Sequence, residues 1–546
     1  MKKTYVIVGG VAGGATAAAK LRREDEQAEI IIFERGHHVS FANCGLPYFI
    51  GGQITDRSQL LLMTPEVFWA KYRVRVHTNH IVTGIDRKNQ TVTVRNEKNE
   101  IITQKYDKLI LSQGANPITP NIKGTDQPHV FTLRSLTDTD RIHDYILKQQ
   151  PKHAVVIGGG FIGLEMAEAF HHLGMFVSVV EMADHILPPL DHDMAMFLTK
   201  AVLRERFAIH TSARATEITA NAMMLDNGQN IPADIVLVSA GVKPETELAL
   251  ACDLTIGSAG GIVVDEHMQT SDAHIYAVGD FVEIKHRVSE KMIRMPLAGP
   301  ANRQARIAAI NAAGGKAKYR GVLGTAIVKI FDMVAGTTGL SESAAQKLGL
   351  NVQSSLTLDN NHAGYYPNAE MLRTKLVYES SSGRLLGAQV IGCAGVDKRL
   401  DVLATAIFAK LTVFDLEELD LCYAPPFGSA NDPVNTAGFV AAHIVTNDVP
   451  NIKYEKDLPA NAQLIDVRNH AEIKASGLLA GAIAIPLPQL RDRWHELDQT
   501  KPVVVYCAKG LRGYLALRIL KGNGFANVSN INGGYPLAKI NGWKTE

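Results

Sequence analysis

The sequence predicts an α/β protein of several domains, and two observations carry that prediction. A strand, a glycine-rich turn, a helix and a second strand follow one another near the N-terminus and again from Ala154 to Glu181. The chain is also 546 residues long. That is too much for one hydrophobic core, and a prior of about 150 residues per domain divides it into three or four. With 46% hydrophobic and 20% charged residues and 46 glycines, the composition is that of a folded α/β chain rather than a disordered or fibrous one. A formal net charge of +1 without basic runs gives no support for a nucleic-acid or membrane-surface partner.

Met1-Lys2-Lys3 and the apolar run to Ala19 have the outline of a secretory signal. Gly9, Gly10, Gly13 and Gly14 interrupt that run, however, and strand, turn and helix periodicity continues through it. No later apolar run reaches the ~18 to 20 residues that span a bilayer. Cysteines at 44, 252, 393, 422 and 507 are odd in number and far apart, making neither a disulfide framework nor a zinc spacing. They predict a reducing, cytoplasmic location. His37-His38 and His171-His172 lack the partners of a metal site, so no metal is expected.

Taken in order, Tyr5 to Val8 is a buried-strand pattern, the glycines open an Ala-rich helix through Leu21, and a strand from Glu29 to Phe33 ends on Glu34. Glycines let the backbone approach a pyrophosphate at a helix N-terminus, and the acid accepts a ribose hydroxyl. The first fingerprint is imperfect, because Val11 stands in its middle position. The second is complete: strand Val155 to Ile157, then Gly158, Gly160 and Gly163 in G-x-G-x-x-G spacing, a helix, and a strand from Val177 to Val180 ending on Glu181. An acid there without a neighbouring arginine favours NADH, with NADPH as the alternative.

Shortly after the first unit comes Ser40-Phe41-Ala42-Asn43-Cys44-Gly45-Leu46-Pro47-Tyr48. A lone cysteine is ordinarily a small buried hydrophobe. Its place after a dinucleotide unit changes the reading, because the whole resembles the two-dinucleotide-fold flavoprotein disulfide reductases. That resemblance implies Rossmann-like FAD- and NAD-binding domains, with FAD on the first unit and nicotinamide on the second. Two further stretches fit it. Ile275-Tyr276-Ala277-Val278-Gly279-Asp280 is similar to the second FAD motif, and Leu109 to Gly114, followed by Ala115-Asn116-Pro117, to the strand closing the first FAD half. The cofactor-binding residues implied are Gly9, Gly10, Ala12, Gly13, Gly14, Glu34, Arg35 and Asp280 for FAD, and Gly158, Gly160, Gly163, Glu165 and Glu181 for the nicotinamide nucleotide. Glu165 is the residue expected to orient the nicotinamide.

Many of these reductases use a C-x4-C pair, but Val39 and Phe49 occupy the positions five before and five after Cys44. Cys44 must therefore cycle through a sulfenic acid or through a mixed disulfide with a small thiol. Single-cysteine peroxidases and oxidases carry a histidine in the first glycine loop where this chain has Ala12. The Cys44 stretch resembles instead the S-F-x-x-C-G-L-P-Y pattern of coenzyme A-disulfide reductases, as do Tyr365-Tyr366-Pro367 and Tyr423-Ala424-Pro425-Pro426. In that family Tyr365 and Tyr423 reach the partner subunit's cysteine, which implies a homodimer, while Tyr366 is expected to pack. Coenzyme A phosphates want cations. Lys20, Arg23 and Lys71 are candidates, with Ser40, Asn43 and Asn302 as polar partners. The flavin and a nearby helix N-terminus are expected to favour the Cys44 thiolate.

Gly299 to Gln304 begins an Ala-rich helix, and Leu323 to about Val440 alternates strand and helix patterns. The resemblance makes that region an α+β dimerisation domain. Val445 to Tyr454 lapses into a polar, proline-bearing linker. Beyond it, Leu464-Ile465-Asp466-Val467-Arg468, Gly481 to Pro486, and Val503 to Tyr506 leading to Cys507 resemble an α/β rhodanese domain. Backbone N–H groups in the loop Cys507-Ala508-Lys509-Gly510-Leu511-Arg512 would stabilise a thiolate or bound anion, with Lys509 and Arg512 as substrate-binding candidates. The expected boundaries are 1–113 and 244–322 for the FAD domain, 114–243 for the NAD domain with connecting strands, 323–446 for dimerisation, 447–455 for the linker and 456–546 for the rhodanese domain. Cys44, Tyr365, Tyr423 and Cys507 are the expected catalytic residues.

The function this implies is NADH-dependent, FAD-mediated reduction of small-molecule thiol substrates: coenzyme A disulfide, coenzyme A persulfide or polysulfide, with Cys507 supplying sulfane sulfur. One alternative is a peroxide or oxygen reductase cycling through Cys44 sulfenate. The other is a sulfur-carrier or redox-sensing flavoprotein. Cys252 and Cys393 are expected in the core, and Cys422 is not expected to act as a resolving thiol.

Overall fold

The computed structural model describes residues 2–204 and 206–546. They form two compact units. One holds the chain up to Ile186 together with Leu203–Gly324, the other Leu187–Val202 together with Thr325–Glu546.

The first unit is built on two five-stranded parallel sheets. In one, the spatial order is Ile275–Ala277, Lys108–Leu111, Thr4–Val8, Glu29–Phe33, Val74–His77; in the other it is Phe207–His210, Phe176–Val180, His153–Ile157, Ile235–Val238, Val130–Phe131. The central strands Thr4–Val8 and His153–Ile157 are buried at every position after the first because both faces of a parallel sheet are covered; Tyr5, Val6 and Ile7 have no exposed surface. The two sheets are built alike at the atomic level. Gly9 donates to the Phe33 carbonyl at 2.9 Å and Gly158 to the Val180 carbonyl at 2.8 Å. Ser112 N–H bonds to Val8 and Ser239 N–H to Ile157, both at 2.8 Å. The two halves are joined by the antiparallel strands Ala115–Pro117 and Val242–Pro244. A three-stranded antiparallel ribbon, Ile81–Asp86, Thr91–Arg95 and Ile101–Lys105, is an addition that the sequence reading does not anticipate.

The second unit contains a five-stranded antiparallel sheet in the order Ala326–Ile330, Met333–Gly339, Leu385–Gly392, Met371–Glu379, Val352–Asn360, with helices Val396–Phe408 and Pro433–Val445 packed on it. It also holds a five-stranded parallel sheet, Asn451–Ile452, Val528–Ile531, Val503–Tyr506, Gln463–Asp466, Ile483–Ala484.

Residues 187–202, placed by sequence within 114–243, belong to the second unit. The stretch buries Leu187, Leu190, Met194 and Leu198 and is tied by charge as well: the Lys375 ammonium, on the central antiparallel sheet and 2% exposed, contacts Asp191 at 3.0 Å, Asp193 at 2.9 Å and Glu342 at 2.9 Å. The expected linker 447–455 is partly sheet, since Asn451–Ile452 pairs with Asn530 and Ile531. The next residue, Lys453, pairs with Glu342 and donates to Ser354 Oγ at 3.2 Å, so this segment is anchored rather than free.

Candidate active site

The glycine turns are shaped for close approach. Gly9 and Gly158 hold φ of +93° and +107°, a region that favours glycine. A Cβ on Gly9 would strike the Ser112 carbonyl, and one on Gly14 the Gly9 carbonyl; Gly158 and Gly163 repeat the pattern against Ser239 and Gly158. A Cβ on Gly13 would meet Ser112 Oγ, and one on Gly10 would meet Val39. A Cβ on Gly160, by contrast, would meet nothing within 4 Å. Val11 stands at the corresponding point of the first turn. Ala12 is the first residue of the helix Ala12–Glu24.

The acids stand where the sequence places them, nearly buried. Glu34 accepts from Gly10 N–H and Gly36 N–H, both at 2.7 Å; Glu181 accepts from Gly159 N–H at 2.7 Å and Ala183 N–H at 2.8 Å. Both turns thus combine a stripped backbone, a following helix N-terminus and a rigidly held carboxylate, which fits a dinucleotide in each. Arg35 is committed elsewhere: it forks onto Glu245 at 2.5 and 2.8 Å, where Arg134 also donates at 2.6 Å. Asp280 follows Gly279, whose N–H donates to Gln304 Oε1 at 2.7 Å. Burial pushes the Asp280 carboxyl above its ordinary value, against the opposing pull of Arg134.

Cys44 lies in a single 3-10 turn, Asn43–Gly45, before the five-residue helix Leu46–Ile50. The residue keeps solvent access. Burial of the sulfur, then the carboxylates of Glu165 and Asp280, push its thiol above the ordinary value. The protein charges nearest the sulfur are thus negative, and the helix that follows has only five residues, which leaves the flavin as the expected source of thiolate stabilisation. Glu165 is itself raised by burial and accepts a hydrogen bond from the Tyr48 hydroxyl at 3.1 Å. Burial and Glu165 together push the Tyr48 phenol up to about 12, so Tyr48 keeps its proton for that bond. Ser40 is buried with φ of +48°; its N–H donates to Gly10 at 2.9 Å and its carbonyl accepts from Leu62 at 3.0 Å, so its backbone sets the path of the segment. Asn43 is exposed beside Cys44.

A cationic cleft of about 430 Å³ is lined by Thr16, Lys20, Arg23, Asn302, Arg303 and Arg306. It lies between the helices Ala12–Glu24 and Ala298–Ala312, where Thr16 Oγ1 donates to Asn302 Oδ1 at 3.0 Å. Lys20 pairs with Glu24, whereas Arg22, one residue from Arg23, is buried and spends its guanidinium on five carbonyls. The structure brings Lys20, Arg23 and Asn302 together; the exposed Lys71 is not in the lining. Sequence reasoning misses Arg303 and Arg306. Their i, i+3 spacing beside Asn302 is the signal that could have found them.

In the second unit, the Tyr365 and Tyr423 hydroxyls lie 3.1 Å apart on exposed side chains, 77% and 48% accessible. The hydrogen bond to Tyr423 raises the Tyr365 phenol. Tyr366, expected to pack, is 42% exposed, and its ring lies edge-on to that of His362 with centroids 5.6 Å apart. Cys507 is 1% exposed and its sulfur accepts from Gly510 N–H at 3.1 Å, one donor of the expected cradle. Arg512 forks onto Glu472 at 2.6 and 2.7 Å, holding that carboxyl at about 2, while Lys509 is exposed. Cys252 is buried, Cys393 is half-buried 3.6 Å from the Met333 sulfur, and Cys422 is exposed. Among the described residues there is no cluster of three or more metal-ligating side chains, and no helix is long and apolar enough to cross a membrane.

Comparison with known proteins adds the following. The family described as pyridine nucleotide-disulphide oxidoreductase matches residues 3–313, its dimerisation domain residues 325–432, and the rhodanese-like domain residues 453–540. The coenzyme A disulfide reductase of Staphylococcus haemolyticus is 35% identical over 441 residues, covering 80% of this chain and 99% of that protein. Reduced Bacillus anthracis CoADR-RHD is 43% identical with a TM-score of 0.96, covering 99% of this chain and 98% of that one. An NAD-dependent persulfide reductase from A. fulgidus is 38% identical with a TM-score of 0.93, covering 98% and 99%. A water-forming NADH oxidase from Lactobacillus brevis is 26% identical with a TM-score of 0.78, covering 82% and 100%.

Proposed function

Because the chain belongs to the pyridine nucleotide-disulphide oxidoreductase family, we propose that it is a homodimeric, NADH-dependent flavoprotein that reduces coenzyme A disulfide and coenzyme A persulfide at Cys44 and receives sulfane sulfur from Cys507. The observation that carries this reading is a solvent-accessible Cys44 with no second cysteine in its segment, on the same unit as a cleft rimmed by Lys20, Arg23, Arg303 and Arg306. A single thiol must take its second sulfur from the substrate, and four cations suit a phosphate-bearing thiol.

Gly9, Gly10, Gly13, Gly14, Glu34 and Asp280 would hold FAD, and Gly158, Gly160, Gly163 and Glu181 NADH. FAD, when bound, accepts hydride from NADH and passes two electrons on to sulfur. The rest is done by side chains. Cys44 thiolate attacks the sulfur attached to coenzyme A, forming Cys44–S–S–CoA and expelling coenzyme A thiolate from the disulfide or hydrosulfide from the persulfide. Tyr365 and Tyr423 of the partner subunit give the leaving sulfur its proton. Two electrons then cleave the mixed disulfide and return Cys44 thiolate and coenzyme A. Supporting this role, the tyrosine pair is exposed in the single chain and each hydroxyl has the other as its partner.

Arg306→Ala is expected to raise KM for coenzyme A substrates by about tenfold with kcat little changed, since a phosphate contact is made equally in ground and transition states. Steady-state kinetics checks this. Cys507→Ser is expected to stop sulfide release from polysulfide while coenzyme A disulfide turnover continues; retention of both activities contradicts the coupling. The oxidase likeness makes oxygen or peroxide reduction the second reading, and Ala12, where such enzymes carry histidine, counts against it. The experiment that separates the readings is NADH oxidation compared across coenzyme A disulfide, coenzyme A persulfide, polysulfide and peroxide. Faster turnover with peroxide would overturn the proposal. The cysteine pattern is the ground for placing the enzyme in the cytoplasm.

A further inference from the structure

The hydrogen bond between the Tyr365 and Tyr423 hydroxyls joins two exposed side chains, so their separation depends on how the two backbones are held. Tyr365 lies in the turn that follows the strand Val352–Asn360, and Tyr423 in the turn that precedes the helix Pro433–Val445. Besides the hydroxyl pair itself, the two turns meet where Ala363 N–H donates to the Gly428 carbonyl at 3.0 Å. Beside Lys398, whose Nζ donates to Asp432 at 3.3 Å and to the Phe427 carbonyl at 3.5 Å, stands a buried side chain that joins them, Arg399 of the helix Val396–Phe408, which is 2% exposed. The Arg399 Nη2 donates to the Asn361 carbonyl at 2.8 Å in the first turn and to the Phe427 carbonyl at 3.3 Å in the second. The same guanidinium is aimed by Asp432, also 2% exposed, which accepts from Nη2 at 2.8 Å and from Nε at 3.2 Å. Asp432 is in turn fixed as the N-cap of Pro433–Val445, accepting from Val434 N–H at 3.1 Å.

We infer that Arg399 is a positioning residue for the reductase reaction: by clasping the backbones of both turns it sets the separation of the Tyr365 and Tyr423 hydroxyls. The inference rests on the role proposed above for those tyrosines. Planarity is what the task requires. One guanidinium reaches a carboxylate and two carbonyls at fixed angles, whereas a lysine ammonium at that position keeps the charge opposite Asp432 but not the fork. A displacement of the order of an ångström in a proton donor costs up to about a hundredfold in rate, and it does so in the transition state, so kcat falls while substrate binding is kept.

The test uses the holoenzyme with four variants: Arg399→Lys, Asp432→Asn, Tyr365→Phe with Tyr423→Phe, and the latter pair combined with Arg399→Lys. Asp432→Asn retains the cap acceptor for Val434 N–H and stands in should Arg399→Lys fail to fold. Either single variant is expected to lower kcat for coenzyme A disulfide by about tenfold, with KM little changed and with flavin bleaching by NADH as fast as in the wild type. Added to the tyrosine-free background, Arg399→Lys is expected to cost nothing more, because it acts only through the hydroxyls it places. A further tenfold loss in that background, or slowed flavin bleaching, would mark a merely structural role and overturn the inference. So would wild-type kcat in both single variants while the tyrosine-free enzyme is impaired. If the tyrosine-free enzyme turns over at the wild-type rate, the role of the tyrosines fails first and the inference falls with it.

Discussion

Cys44→Ser is expected to abolish turnover, by on the order of 10³-fold or more, with coenzyme A disulfide and persulfide alike, while NADH still bleaches the flavin. A serine hydroxyl matches the thiol in shape but forms no bond to sulfur of the kind the cycle needs. No second cysteine in the segment can take over, since Val39 and Phe49 occupy the positions a C-x4-C partner would fill. The nicotinamide side is untouched by the change, because the second glycine turn and Glu181 are held by their own backbone contacts. Stopped-flow absorbance separates the halves: rapid bleaching without reoxidation by substrate is the expected trace. Residual turnover near the wild-type rate would show that another sulfur carries the reaction.

Lys375→Met is expected to destabilise the second unit by about 3–5 kcal/mol, the usual cost of leaving buried charges without their partner. Asp191, Asp193 and Glu342 all contact this ammonium, and Lys453 would remain beside Asp193 and Glu342. Burial alone would raise Asp191. The charge of Lys375, with the backbone N–H groups of Ser343 and Glu342, outweighs burial and holds that carboxyl at about 2; Glu342 is lowered for similar reasons. In the wild type these groups therefore add stability above their unfolded values near pH 4, and it is lost as pH falls toward 2. Without the cation, burial pushes the Asp191 and Glu342 carboxyls upward against the backbone N–H groups and the Lys453 that remain, so part of the stability lost with the cation returns as pH falls and these acids take up protons. The gap in melting temperature between the two proteins should narrow as pH falls from 7 to 5. A gap that is constant or widens would show that the acids do not depend on Lys375. Because the Lys453 that begins the rhodanese-like match shares the cluster, the C-terminal module should lose protection from proteolysis together with the central sheet.

The contrast between these predictions shows what sequence patterning carries. The dinucleotide units are legible in local spacing: the strand Glu29–Phe33 matches end to end, and the first helix, expected through Leu21, runs on to Glu24. The cysteine segments and tyrosine turns were legible through short motifs. Long-range charge was not. Asp191 and Asp193 look like ordinary surface acids until folding brings Lys375 between them, and nothing local announces that residues 187–202 leave their neighbours in sequence for the other unit. Asn451–Ile452 was read as linker because a two-residue edge strand leaves no periodicity, and Pro450 beside it looks like a break. Arg399 and Asp432 are invisible for the same reason as Lys375: their partners are backbone carbonyls and a distant carboxylate. Arg303 and Arg306 carried a helical spacing that invites notice, but isolated basic residues on a helix are usually a solvated face.

The central claim is that the second sulfur of the redox pair arrives with coenzyme A. It is tested most directly by quenching the holoenzyme in turnover, limited in NADH, and mapping the peptide that contains Cys44 by mass spectrometry. The account predicts coenzyme A attached to Cys44 through a bond that dithiothreitol removes, with no adduct in Cys44→Ser. A Cys44 that carries no coenzyme A and is instead trapped as sulfenic acid by dimedone during turnover would contradict it.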